Sequence, residues 1–313
     1  METKFLVSGS PHMHTRESSS RIMWMVVLSL VPAGISGIWI FGKPALWTII
    51  MAIASALFAE AGIQFLTKKK ISILDGSAFL TGLLLAYNLG PGVPFWIPII
   101  GSFAAIAIGK MVFGGLGQNI FNPALVGRVF LMASWPKYMT TFIQPFNYDT
   151  VTSATPLALL KEGKAIEHIN YLNLFMGNHS GCIGEVSILA LLLGAAFLLL
   201  RGYISWHIPV SFIAATGALT YLFAGKSPFS GDWIFHILSG GLILGAFFMA
   251  TDYVTSPLTR KGHIIFGIGC GLLTAVIRIW GGYPEGVSYA ILMMNAAAPL
   301  IDRFTKNRVY GAK

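Results

Sequence analysis

The run GSAFLTGLLLAYNLGPGVPFWIPIIGSFAAIAIG, residues 76–109, holds 34 residues without one Asp, Glu, Lys or Arg. A membrane helix needs about 20 mainly apolar residues, so the run is too long for a single crossing. At its centre Asn88–Gly92 reads N-L-G-P-G, a turn signature. The run is therefore expected to form two helices joined by a tight turn, which sets the ruler for the rest of the chain. On its N-terminal side, Ile22–Gly42 fits one span and Pro44–Leu66, carried past Glu60, a second. On the other side comes a shorter fifth helix around Asn119–Ser134, then a polar stretch, Trp135–Cys182. Further spans fall near Gly184–Leu200, Trp206–Ala224, Trp233–Thr251, Gly262–Trp280 and Glu285–Ile301, ten in all. The expectation is an all-α, polytopic integral membrane protein.

Composition agrees. The 313 residues are 55% hydrophobic and 11% charged, against about 25% charged in soluble domains, which excludes an ordinary soluble enzyme. The 35 glycines and 15 prolines are tolerated in membrane helices. The net charge of +9 comes with no basic run interleaved with stacking aromatics, so no nucleic-acid partner is expected. Cys182 and Cys270 stand 88 residues apart without cluster spacing, so the chain holds no iron–sulfur cluster alone. Met1–Arg21 lacks the order of a cleaved signal peptide, and the first apolar segment is expected to be retained.

Lys and Arg collect on the cytoplasmic side of membrane proteins. With the N-terminus inside, fourteen of them fall inside, among them Lys4, Lys68, Lys69, Lys70, Lys110 and Lys313. Six fall outside: Lys43, Lys137, Lys161, Lys164, Lys226 and, near a helix end, Arg278. Both termini are thus expected in the cytoplasm and the polar stretch outside. An internal repeat is also legible. Trp47 aligns with Trp206 and Gly82 with Gly241 at an offset of 159, Pro91 with Pro257 at 166, and Gly114–Gly115 with Gly281–Gly282 at 167. Five spans per unit make the halves inverted, an arrangement whose sites lie where helices break at the repeat interface. The expected division is residues 1–134 and 183–313 as five-helix repeats, with 135–182 as an extracytoplasmic loop. Recurrence of small-residue packing patterns is the competing explanation.

In that loop, Asp149–Leu157 reads D-T-V-T-S-A-T-P-L. One reading makes Thr155 a helix N-cap and Pro156 the first helical residue. The other makes Thr155 a hydroxyl open to covalent modification between small neighbours, Ser153 and Ala154. Gly114, Gly115 and Gly117 suit either a turn or close backbone approach to a ring or phosphate. Asn119, Asn122 and Arg128 follow, with Asn122-Pro123 breaking a helix at membrane depth. An intramembrane Arg marks a functional site or a helix-joining ion pair. Asp75 and Asp252, at cytoplasmic helix ends, are solvated or capping carboxylates or stations of an ion path, and Glu60 and Glu185, nearer the interior of their helices, are similar candidates. His12 and His14 make a weak ligand pair, no metal site is expected, and His207 and His236 are expected to hydrogen-bond within the bundle.

D-T-V-T-S-A-T-P-L resembles the flavinylation motif of the D subunit of Rnf-type electron-transport complexes and of the related B subunit of the sodium-translocating NADH:quinone reductase. D-G-S-A-F-L-T-G-L-L-L at Asp75–Leu85, F-G-G-L-G-Q-N-I-F-N-P-A-L-V-G-R at Phe113–Arg128 and F-F-M-A-T-D-Y-V-T-S-P at Phe247–Pro257 carry the resemblance across the chain. Ser153 stands where the family pattern has Gly, and the short N-terminus is closer to the Rnf-type subunit. The resemblance implies FMN joined to Thr155 by a phosphoester, with Asp149, Ser153 and Ala154 around it. It also implies a noncovalent riboflavin, for which the region of Gly114, Gly115, Asn119, Asn122 and Arg128 is the expected place. Expected partners are a second flavin subunit, iron–sulfur subunits, Na⁺ or H⁺, and the bilayer of a bacterial or archaeal cell membrane. The subunit would be part of a redox-driven translocase, not catalytic alone. A stand-alone transporter or channel suits an inverted repeat equally well, but has no need of the Thr155 motif.

Overall fold

The computed structural model describes residues 17–146, 152–163, 170–225 and 227–306. Lys4, His12, His14, Asp149, Lys164, Lys226 and Lys313 lie outside the described residues. The first part of the chain forms α1 (Ser19–Phe41), α2 (Lys43–Leu66), α3 (Ser77–Tyr87), α4 (Trp96–Ile106) and α5 (Pro123–Ser134). The connecting stretch holds α6 (Pro136–Met139), β1 (Phe142–Ile143), β2 (Thr152–Ser153), α7 (Pro156–Lys161) and α8 (Tyr171–Met176). Then follow α9 (Ile188–Leu200), α10 (His207–Phe223), α11 (Trp233–Leu238), α12 (Leu242–Leu244), α13 (Arg260–Trp280) and α14 (Val287–Phe304). Among the described residues the fold is all-helical apart from the two-residue ladder that pairs Phe142 with Ser153 and Ile143 with Thr152.

Local chemistry sets the helix starts. Side chains of Ser18, Asn122, Thr155, Asn170, Ser187, Asp232 and Thr259 accept backbone N–H groups at the starts of α1, α5, α7, α8, α9, α11 and α13, satisfying donors that a helix cannot pair internally. Among the described residues three helices, α1, α2 and α13, are long and apolar enough to cross a membrane; α3, α4 with its extension to Met111, α5, α9 and α10 are shorter apolar helices. Two expectations are corrected. Asn122-Pro123 starts α5 rather than breaking it, because Asn122 caps the helix and Pro123 occupies the first turn, where its missing N–H is harmless. The expected span Trp233–Thr251 is interrupted at Ser239–Gly241, with Gly240 left-handed (φ +69°), and resumes as α12 and a wide π-type turn over Gly245–Met249.

Small residues let the helices touch. The first helix of each half meets the other, α1 against α9, and a Cβ on Gly194 would stand 2.0 Å from the Ser29 carbonyl oxygen. The helix α10 lies along α13, where a Cβ on Gly271 would be 2.7 Å from the Phe212 carbonyl oxygen. Without a hydrophobic force between helices in lipid, such close packing supplies the association energy. Gly194→Ala should therefore cost about 1–3 kcal/mol through overpacking. Gly62→Ala, where a Cβ would meet nothing within 4 Å, should leave stability unchanged or slightly raised. Thermal denaturation of both variants in one detergent checks this, and equal melting temperatures would refute the packing account.

Candidate functional site

A cavity of about 740 Å³, counting its open mouth, lies among α1, α3, the start of α5 and the 245–254 segment. Leu80, Leu84, Leu198, Phe247 and Phe248 make its walls apolar, and Ser77, Asn119, Asn122, Asp252 and Lys110 give it polar edges. Lys110 sits in the π-type turn Ala107–Met111 that extends α4 and is almost fully buried. Its ammonium donates at 2.8 Å to both Glu60 carboxylate oxygens and at 2.6 Å to Ser77 Oγ. Ser77 in turn donates to Asp75 Oδ1, which also accepts the Ser77 backbone N–H at 2.8 Å. Gln64 donates to Glu60 from one turn further along α2. Lys110 is thus no free cytoplasmic charge, as its position in the sequence suggests, but the cation of a buried pair. Asp75 caps α3, and Asp252 accepts from Thr255 Oγ1 and the Val254 N–H at the cavity edge.

The candidate flavin residues separate in space. Asn119 and Asn122 border the cavity, whereas Gly114 and Gly115 are not among its lining residues. Gly114, Gly115 and Gly117 all have left-handed φ, from +86° to +122°. They form a turn whose Gly114 carbonyl accepts from Lys69 Nζ at 3.0 Å. Arg128 is also absent from the cavity lining. Its guanidinium is paired with Glu285 and hydrogen-bonded to Asn88 Oδ1, and Cys182 Sγ is 3.9 Å away.

Asn122 and Glu185 are among the candidates named from the sequence, whereas Asn88, Asn295 and Glu285, which gather with them and Arg128, are not. Asn88, read as a turn residue, donates to the Leu84 carbonyl at the end of α3. The Asn122 backbone N–H donates to Asn295 Oδ1 on α14, and Asn122 Nδ2 donates to the Met249 carbonyl. Arg278, expected at the outer surface, is buried and donates to the His236 and Ser239 carbonyls at the end of α11. Glu185 is buried, with Oε1 accepting the Cys182 N–H at 3.0 Å. Ligand atoms of Cys182, Glu185 and Glu285 lie within 4.8 Å of one another. Arg128 already supplies a cation to that group. His207 stacks on Trp206, and Nδ1 of neither His207 nor His236 finds a partner among the described residues.

Thr155 lies on the far side of Glu285, since both line a second cavity of about 370 Å³ with Met132, Phe142 and Tyr283. The hydroxyl is not open to solvent: Thr155 is 5% exposed, and its Oγ1 accepts the Ala158 N–H as N-cap of α7. The capping geometry of Thr155 and Pro156 is as the sequence suggests, whereas the exposure is not. A helix α7 seated on the bundle explains this. Leu157 packs onto Gly240, and Lys161 Nζ donates to the Tyr283 carbonyl at 2.7 Å, its partial burial lowering its pKa below the ordinary lysine value.

A family model described as the NQR2, RnfD, RnfE family matches residues 6–311. The chain is 51% identical to the D subunit of the Na⁺-translocating ferredoxin:NAD⁺ oxidoreductase complex of Acetobacterium woodii, over 99% of this chain and 96% of that one. It is 50% identical to the D subunit of the proton-translocating ferredoxin:NAD⁺ oxidoreductase complex of Clostridium ljungdahlii, over 99% and 97%. It is 41% identical to the D subunit of the ion-translocating oxidoreductase complex of Stutzerimonas stutzeri, over 95% and 93%. With matches that run almost end to end, this membrane chain belongs to the NQR2, RnfD, RnfE family.

Proposed function

We propose that the chain is the D-type membrane subunit of a redox-driven translocase of the ferredoxin:NAD type, which carries flavin and works with iron–sulfur and second-flavin subunits to move Na⁺ or H⁺. The near full-length similarity to D subunits of ion-translocating complexes carries this reading. Two relatives at almost the same identity are named for different cations, so overall similarity is not what selects the ion.

The membrane arrangement is ten spans in two inverted five-helix repeats, residues 1–134 and 183–313, with 135–182 and its Thr155 motif outside and both termini in the cytoplasm. Paired features support it. Trp47 and Trp206 are equally exposed at the starts of α2 and α10. Lys110 and Arg278, buried cations near the ends of α4 and α13, reach Ser77 and His236, which are related by the same offset of 159 as Trp47 and Trp206.

The residues present fit two flavins. At Thr155, small neighbours and a hydroxyl already held by a backbone N–H suit a phosphoester, once α7 lifts to free the side chain. In the larger cavity, the flat walls of Phe247 and Phe248 with Asn119, Asn122 and Ser77 at the edge suit an isoalloxazine ring. Flavin bound in these places supplies the electron-carrying chemistry. The chain's own contribution is to shield the cavity with Leu84 and Leu198, to hold a fixed positive charge beside it on Lys110, and to present Asp252 at its mouth. Glu60, locked to Lys110, reads as the structural partner of that charge, leaving Asp252, Asp75 and Glu185 as candidate ion-path carboxylates.

Three outcomes are expected. After co-expression with a flavin transferase and denaturing electrophoresis, the chain should show a yellow-green fluorescent band that Thr155→Ala abolishes; a band retained in the variant excludes Thr155. Thr251→Trp, which fills the cavity, should lower the flavin released by acid denaturation by about tenfold, the loss of ~1.4 kcal/mol of binding, while leaving the fluorescent band. Lys110→Met should destabilise the chain by about 3–5 kcal/mol by stranding Glu60, and Glu60→Gln in the same chain should restore most of it. If that double variant folds but its complex moves no ions, Glu60 does belong to the path.

A further inference from the structure

Glu185 and Glu285 come from segments 100 residues apart in sequence, yet their carboxyl oxygens approach within 4.8 Å. Their surroundings differ. Glu285 is gripped by Arg128 and borders the cavity beneath Thr155. Glu185 is 4% exposed, and its Oε2 has no partner among the described residues. The other nearby cation, Arg278, donates from Nη1 and Nη2 to the His236 and Ser239 carbonyls and makes no hydrogen bond to either carboxylate. Two carboxylates this close, out of water, with one cation paired to Glu285 alone, disfavour double ionisation.

We propose that Glu185 and Glu285 share a single proton and form a proton-binding site inside the bundle, with Arg128 deciding which of them is left charged. In the arrangement seen, Arg128 is paired with Glu285, and the shared proton is assigned to Glu185. Arg128 Nη1 and Glu185 Oε2 border the same bare face of Gly241, 3.8 and 3.0 Å from where a Cβ would stand. A side-chain turn across that face carries the guanidinium from one carboxylate to the other. Glu185 then gives up its O–H proton, and Glu285, having lost its cation, takes it up. One O–H bond breaks and one forms, no electron moves, and the net charge of the group is constant. The exchange moves a proton from a closed position to one on the cavity beneath Thr155.

Other titratable or charged groups face the pair from each packed element. They are Cys182 and His179 beside Glu185, Arg128 on α5, Arg278 on α13, His236 on α11, Tyr283 and Tyr289 around Glu285, and Tyr87 under Gly184. Tyr87 is committed to the Leu30 carbonyl. The site stands on these contacts alone and does not rest on any bound flavin.

Infrared difference spectroscopy of the full chain in lipid nanodiscs, in light and heavy water, tests it. The wild type should show a protonated-carboxyl stretch that moves on deuteration. Glu185→Gln should remove it, since Glu285 stays ionised with Arg128. Glu285→Gln should remove it as well, because Arg128 then turns to Glu185. Glu185→Asp should shift it, and keeps the test open if Glu185→Gln does not fold. A band that survives Glu185→Gln places the proton elsewhere, and a band that survives Glu285→Gln shows that Glu185 holds a proton unshared; either result overturns the proposal.

Discussion

Backbone groups inside an apolar bundle must be paired within the protein, and several helices of this chain stop or start where little else can pair them. The end of α3 is closed by Asn88 on the Leu84 carbonyl, and the start of α5 by Asn122. Asn122 also donates from Nδ2 to the Met249 carbonyl across the bundle and from its backbone N–H to Asn295 Oδ1. The interruption after α11 exposes carbonyls that Arg278 takes. These few side chains tie α5 to α14 and α13 to α11, and Asn88 at the end of α3 meets Arg128 of α5. The cavities lie around them because interrupted helices cannot pack as cylinders.

The same constraint governs the charges. A lone ion in this interior is very costly, and a pair tolerates burial only when its remaining hydrogen bonds are also met. Lys110 meets that demand with Glu60 and Ser77, and Arg128 meets it in part, with Asn88 on Nη1 and Glu285 on Nη2 and no partner for Nε among the described residues. The first pair lies at the larger cavity and the second between the helix break and Thr155. Fixed charges are thus placed beside both cavities, in surroundings where they are weakly screened.

Apolar run length made the helices legible in the sequence: each expected span has a helical counterpart, and α1, α2 and α13 match their expected ranges within a few residues. The Thr155 cap was legible too, since Ser/Thr followed by Pro is a local signal. Pairing was not. Glu60 and Lys110 are 50 residues apart, and Arg128 and Glu285 are 157 apart. Counting charges sends Lys110 and Arg278 to the surface, because a count cannot tell a solvated cation from one with a distant partner. The break at Gly240 hides for a similar reason, as a glycine pair within an apolar run also fits a continuous membrane helix.

The separation of Arg128 from Glu285 has a consequence for biogenesis. At the ~5–20 residues per second of ribosomal synthesis, 157 residues take on the order of 10–30 s. Throughout that interval the N-terminal helices are already made, and Arg128 has Asn88 and, later, Cys182 as partners but not yet the carboxylate it pairs with. Ser29, on α1, likewise waits for Gly194 on α9. The first half must therefore persist as a metastable intermediate with an unpaired guanidinium, held by the insertion machinery or by water until the second half arrives. The ion pair then locks the two halves together late, making the last part of the chain to emerge the part that completes the first.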